Sequence, residues 1–259
     1  MSLPGSSLVR LCAFVLGLVL VTGAPLSAEE TVEGGDYETW RKTIKLPVGR
    51  VPLVEKPPEI DGQADEAWRQ AAGVLRFSFI DGFGGGVAEP TTAYVLSDKE
   101  NLYIFVKCAK HDPERLIARA TQHDGDVWQD EAVEFFIDPQ NTRDHKYFHI
   151  MVNSAGVCAD VKRKNAVDAD PSWNPALTVK CAKDKTGWTL EMKLPFKELG
   201  VQPGALNKIW SLNLTRSAHD PDEPDMVEDT AWSPTRARTS HKPSMFGYLW
   251  LDAGDKLNK

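Results

Sequence analysis

The chain has 259 residues, 42% of them hydrophobic, with 30 Lys and Arg against 37 Asp and Glu and a formal net charge of −7. That acidic balance repels phosphate backbones and anionic bilayers, so nucleic acid and anionic membranes are excluded as expected partners. The four cysteines form no C-x-x-C pair, which removes zinc-ribbon, thioredoxin and c-type haem readings.

Arg10 is the only charge before Glu29, and the apolar run Leu11 to Val21 is followed by the small-residue stretch "TGAPLSA". This is the layout of a secretory signal over residues 1–28, cut after Ala28, and it points to a secreted or periplasmic protein. The apolar run is too short for a dependable span, so no membrane span is expected after cleavage. Cleavage takes away Cys12 and leaves Cys108, Cys158 and Cys181, which allow at most one bridge. Cys108 and Cys181 continue apolar alternations and are expected in the core.

Residues 29–50 are charged and weakly patterned, and read as a linker or a loosely attached N-terminal arm. The domain is expected over 51–252, with 253–259 as a C-terminal tail. Pro57 and Pro58 force extended backbone, Asp61-Gly62 makes a turn, and Ala64 to Ala71 gives about two helical turns with Trp68 as a lid on a core.

From there the period is two. Strands are expected at Val74 to Ile80, Thr91 to Ser97, Asn101 to Ala109, Glu131 to Asp138, Lys146 to Asn153, Gly156 to Arg163, Ala176 to Lys183, Gly187 to Pro195, Lys208 to Arg216 and Phe246 to Leu251. Beyond Ala64 to Ala71, helix is expected in short pieces such as Pro113 to Ala120 and Pro195 to Gly200. The class is all-β: a two-sheet antiparallel β-sandwich, jelly-roll or immunoglobulin-like, with short peripheral helices. The glycines of 82–86 are followed by neither a helix nor Lys-Ser/Thr, so they form no phosphate loop. The sequon at Asn213 falls inside a strand, where a glycan does not fit.

The chemistry-bearing stretch is "DGDVWQDEAVEFFID", Asp124 to Asp138. Alternation puts Val133, Phe135 and Ile137 on one face of its strand and Glu134 on the other; in the next strand Tyr147, His149, Met151 and Asn153 share a face. Trp128 precedes the strand, so it is expected partly open to solvent, at the rim of a shallow cleft floored by Glu134 and His149. Glu131 and Glu134, three apart on a strand, point to opposite faces and cannot make the facing pair of a glycosidase. No nucleophile elbow, zinc-protease or triad pattern occurs, so no catalytic residue is expected.

The acidic loops raise a metal. Asp124-x-Asp126-x-x-x-Asp130 departs from an EF-hand, with Trp128 at a ligand position and no central glycine. Asp112, Asp130 and Glu131 are the expected calcium ligands, converging from adjacent loops, and residues 220–229 are an alternative cage.

"PPEIDGQADEAW", "AYVLSDKENLYIFVKCAKHDP", "VWQDEAVEFFID", "GWTLEMKLPFKELG", "IWSLNLTR", "AWSP" and "FGYLWL" occur in the order of one family. From about Pro52 to Leu251 the chain resembles the family 9 carbohydrate-binding module and its relatives in the DOMON-like sandwich superfamily. The resemblance implies a sandwich that holds a sugar between two tryptophans, with a carboxylate, an arginine and amides on its hydroxyls and calcium stabilising the loops. Trp128 matches the first tryptophan, Glu134 the carboxylate, and Asp112 an acidic position. His149 stands near the arginine's place, and Ser240 or His241 stands where the second tryptophan belongs.

The implied function is a secreted, non-catalytic carbohydrate-binding protein that assists polysaccharide degradation, with a glycoside hydrolase on another chain as partner. The alternative is a DOMON-like b-type haem or protein-interaction module with a degenerate sugar site. His149, Met151 and Met192 would be the haem ligands, but Met192 alternates with Trp188, Leu190 and Leu194 as a core residue does, and haem is disfavoured.

Overall fold

The computed structural model describes residues 36–202, 205–223 and 226–253. The expected signal sequence, residues 29–35 of the arm and residues 254–259 of the tail lie outside them. In chain order the described strands are β1 Val48–Val51, β2 Leu75–Arg76, β3 Ser78–Phe79, β4 Thr91–Ser97, β5 Asn101–Ala109, β6 Ala132–Asp138 and β7 Phe148–Asn153. They continue with β8 Cys158–Arg163, β9 Ala169–Asp170, β10 Thr178–Asp184, β11 Gly187–Pro195, β12 Ile209–His219, β13 Val227–Ala231 and β14 Gly247–Leu251.

Two sheets result, as the alternation requires. The larger has nine strands, seven on the path β1-β14-β12-β6-β7-β8-β9 and two off it, β13 joining β12 to β3; the smaller runs β10-β11-β5-β4-β2. The inward positions of both sheets form one core: Val133, Phe135 and Ile137 of β6 meet Ile104, Val106, Leu190 and Met192 of the small sheet, with Trp188 and Trp210 in the same cluster. Each such side chain contributes roughly 1.5–3 kcal/mol by leaving water. Cys108 and Cys181 are in or against this core as expected, and Cys108, Cys158 and Cys181 are all free thiols. Burial pushes the Cys108 thiol up to about 12 and Cys158 to about 11, which makes them poor nucleophiles.

Several expectations change in detail. Residues 37–50 are not a loose arm. A short helix, α1 (Tyr37–Trp40), buries Trp40 against Trp250, with ring centroids 5.1 Å apart, and β1 pairs with β14 in parallel, whereas the other pairs of described strands are antiparallel. Charge in the sequence hid a segment whose few aromatic and apolar residues do the packing. Val74 to Ile80 is two strands, not one: β2 pairs with β4 in the small sheet and β3 with β13 in the large, so the chain changes sheet there.

The expected helices shrink to 3-10 turns at Glu66–Gln70, Pro113–Arg115 and Phe196–Leu199. The first is capped by Asp65, whose carboxylate accepts from the Ala67 amide. It seats Trp68 over Val54, Leu96, Tyr103 and Phe105 on the outer side of the small sheet, and the indole N–H donates to buried Glu191 at 2.7 Å. Trp68 is thus a lid, as expected, over a satellite cluster. Asn213 is fully buried, with its amide donating to the Ser233 carbonyl, so the sequon is inaccessible in the fold.

Candidate functional site

The outer face of the large sheet carries the second set of alternating residues. Cross-strand register places Thr215 of β12, Glu134 of β6 and Met151 of β7 side by side, with Asn213, Phe136 and His149 forming the next row. His149 is buried, and its Nε2 donates to Glu134 Oε2 at 2.7 Å. Its ring stacks on Phe136, centroids 4.3 Å apart and 15° from parallel. This stacking and pairing fix an imidazole–carboxylate couple on the face.

His241 arrives from the loop before β14 and stands edge-on to both rings, 5.3 Å from Phe136 and 5.1 Å from His149. His241 Nδ1 and the Tyr147 hydroxyl are hydrogen-bonded at 2.7 Å. Burial, reinforced by the nearby His149, lowers the His241 pKa to about 4, so this imidazole is neutral at ordinary pH. Burial pulls Glu134 upward, but the His149 hydrogen bond and charge outweigh it and hold the carboxyl below the ordinary range. Thr215, cross-strand from Glu134, is buried and its hydroxyl has no hydrogen-bond partner among the described residues. Asp229 of β13 accepts from Ser217 at 2.8 Å, and burial raises its pKa, with the Glu134 charge adding to the effect.

Trp128 lies in a 3-10 turn, Val127–Gln129, and is 60% exposed. Its neighbour Val127 is fully buried against Ala132, Met151 and Ala159. The turn is therefore pegged to the outer face by Val127, packed with Met151, the cross-strand neighbour of Glu134, and its indole is exposed. Glu131 lies in the interior and Glu134 on the outer face, so no facing carboxylate pair exists between them.

Other expected site residues are used differently. Asn153 is fully buried: its amide donates to Asp130 and to the Ala120 carbonyl, and its Oδ1 accepts from the Ala155 and Val157 amides, so no edge is left for a ligand. Ser240 is half-buried in the loop that carries His241, and its carbonyl accepts from Lys242.

The calcium trio does not converge. Asp130 is buried with its oxygens accepting from the Arg119 and Ala120 amides and from Asn153. Glu131 is buried between Lys110 at 2.5 Å and Arg216 at 3.4 Å, and accepts from the His219 amide. Asp112 caps a separate turn through its carbonyl. Two cations already neutralise Glu131, so this donor set does not fit calcium. The group of His, Cys, Asp and Glu donors close enough for a metal, among the described residues, is instead His123, Asp124 and Asp160.

Sequence reasoning missed Tyr147 as the partner of His241 and missed Thr215, and it placed Asp229 only in the alternative cage of residues 220–229. Alternation would have placed Thr215 outward on β12, but its position opposite Glu134 depends on strand order.

The chain is thus a two-sheet sandwich with an exposed indole on a turn packed against the outer face of its large sheet. The chain belongs to the carbohydrate family 9 binding domain-like family, whose pattern matches residues 60–253. Among solved structures it is similar to a family 9 carbohydrate-binding module from Caldicellulosiruptor kristjanssonii in complex with cellotriose, at 17% identity over 79% of this chain and 93% of that one, with a TM-score of 0.58. The same organism's family 9 module in complex with glucose matches at 18% identity over 78% and 95%, TM-score 0.57. A Bacteroides uniformis structure covers 80% of this chain and 100% of its own at 17% identity and a TM-score of 0.63. Identities this low establish the shared fold alone. No curated protein matches the chain.

Proposed function

We propose that the chain is an exported, non-catalytic module that binds a glycan on the outer face of the large sheet and assists polysaccharide breakdown by a glycoside hydrolase carried on another chain. The observation that carries this reading is the exposed Trp128 on a turn pegged beside the Glu134–His149 pair. An indole offers a flat apolar surface to the C–H face of a sugar, and a fixed carboxylate accepts its hydroxyls. Oε2 of Glu134 is taken by His149, and no other hydrogen bond to this side chain occurs among the described residues, so Oε1 is left for a ligand.

Where the family resemblance implies a second indole the chain has His241, a small neutral imidazole engaged with Tyr147. One-sided stacking contributes on the order of 1 kcal/mol beyond area burial, which places affinity at roughly tens of micromolar to millimolar. Relatives of the fold are seen with cellotriose and glucose, so these two sugars are the first ligands to try. Calorimetric titration of the protein with each, followed by a glycan array, tests the reading. Saturable binding that weakens in Glu134→Gln supports it. Absence of binding to every glycan, or binding indifferent to Glu134, overturns it.

A further inference from the structure

The loop that carries Trp128 begins with a second polar cluster, away from the Glu134–His149 pair. Asp160 of β8 is paired in register with Ile150 and has a side chain only 2% exposed. Its Oδ2 lies 3.1 Å from Nε2 of His123, while its Oδ1 is buried without a hydrogen-bond partner. A buried carboxylate oxygen with nothing to accept from is costly, and native folds fill such positions with water or an ion.

Asp124 completes the group. Its amide donates to the Cys158 carbonyl at 3.0 Å, and its Oδ1 accepts from the Asp160 amide at 3.2 Å, so the loop is laced to β8 on both sides of the cluster. Asp124 holds a left-handed backbone, φ +60°, a region that aspartate enters more readily than most side chains do. One ligand atom each from His123, Asp124 and Asp160 lie within 4.8 Å of one another. Tetrahedral coordination at about 2.0–2.2 Å requires donors roughly 3.4 Å apart. The two outer side chains, His123 at 46% and Asp124 at 47% exposure, have the freedom to close that gap around fixed Asp160.

We infer that His123, Asp124 and Asp160 form a site for a divalent transition metal of the zinc type, with water as the fourth ligand. The donor set decides the class. Calcium takes six to eight oxygens and no imidazole, whereas one nitrogen and two carboxylate oxygens suit zinc and its neighbours. Occupancy satisfies the orphaned Asp160 oxygen and compensates two adjacent carboxylates.

The test is zinc titration of the chelator-stripped protein by calorimetry, with cobalt as a visible-absorption probe. Binding of one zinc per chain is expected, with a d–d spectrum from cobalt and no displacement of zinc by a comparable concentration of calcium. His123→Ala should weaken zinc at least tenfold, with circular dichroism of the metal-free variant showing that it remains folded although buried Asp160 loses its imidazole partner. Asp160→Asn should weaken zinc similarly, and Asp124→Asn replaces that variant if it fails to fold. No saturable zinc binding, zinc affinity unaltered in the His123 and Asp124 variants, or efficient displacement by calcium would each overturn the inference.

Discussion

Trp128 and His241 belong to loops packed on the same outer face and are held by opposite means, which sets how each responds to change. Trp128 is 60% exposed and its turn is anchored by Val127, so Trp128→Ala removes little packing and should alter stability by no more than about 0.5 kcal/mol. Loss of the stacking platform should weaken glycan binding about tenfold or more. Paired calorimetry and melting on the same sample separate the two: a large drop in melting temperature with unchanged affinity would make the indole a plug. His241 is secured by rings and by Tyr147, and its pKa is lowered from 6.5 to about 4. The unfolded chain therefore takes up a proton here at higher pH than the folded one. Its contribution to stability is complete above pH 6.5 and is lost as pH falls from 6.5 towards 4. His241→Phe, which keeps a ring against Phe136 and His149, should flatten the fall of melting temperature over that interval; an unchanged slope would place the titration elsewhere.

Strands with one face in the core were legible from alternation, because a one-residue slip would turn Val133, Phe135 and Ile137 into water. Thr91–Ser97, Asn101–Ala109 and Gly187–Pro195 agree with expectation end to end. β9 and β13 were not legible, since two residues carry no period and "VEDTA" has acids where a strand usually shows apolar groups. The arm was misread for a similar reason: its packing rests on Tyr37, Trp40 and a four-residue parallel strand whose partner lies two hundred residues away. If the arm belongs to the fold, Trp40→Ala should cost about 3–5 kcal/mol, because Trp40 is 6% exposed and packs on Trp250 and Tyr248. Chemical denaturation checks this, and a midpoint within error of the parent would return residues 37–50 to the status of a tether. The site was partly legible. Trp128 stood out by falling before the strand, and Glu134 with His149 by sharing an outward phase. Asp130, Glu131 and Asn153 looked like ligands because a sequence displays carboxylates and amides without the backbone groups and cations that occupy them.

At the scale of the whole molecule, the two sheets are joined at one end by buried charge as well as by apolar contact. Lys110, directly after β5 of the small sheet, reaches Glu131, Glu89 and the His219 carbonyl; Arg216, on β12 of the large sheet, reaches Glu131, the Ala109 and Glu89 carbonyls and the Thr91 hydroxyl. Two cations meet two carboxylates, with Lys110, Glu131 and Arg216 almost wholly removed from water, so neither side can lose a partner cheaply. Removing one member of such a group leaves uncompensated charge, at a cost of about 3–5 kcal/mol. Glu131→Gln should therefore lower the melting temperature by on the order of 10 °C for a domain of this size. Because the ions are buried, moderate salt should change that difference little. The deficit should also be the same with added calcium as with chelator, since Lys110 and Arg216 fill the space in which a cation would have to sit. A parent protein whose melting follows calcium, together with a Glu131→Gln variant that no longer does, would instead show that Glu131 serves a metal and that the interior ion cluster rearranges to admit it.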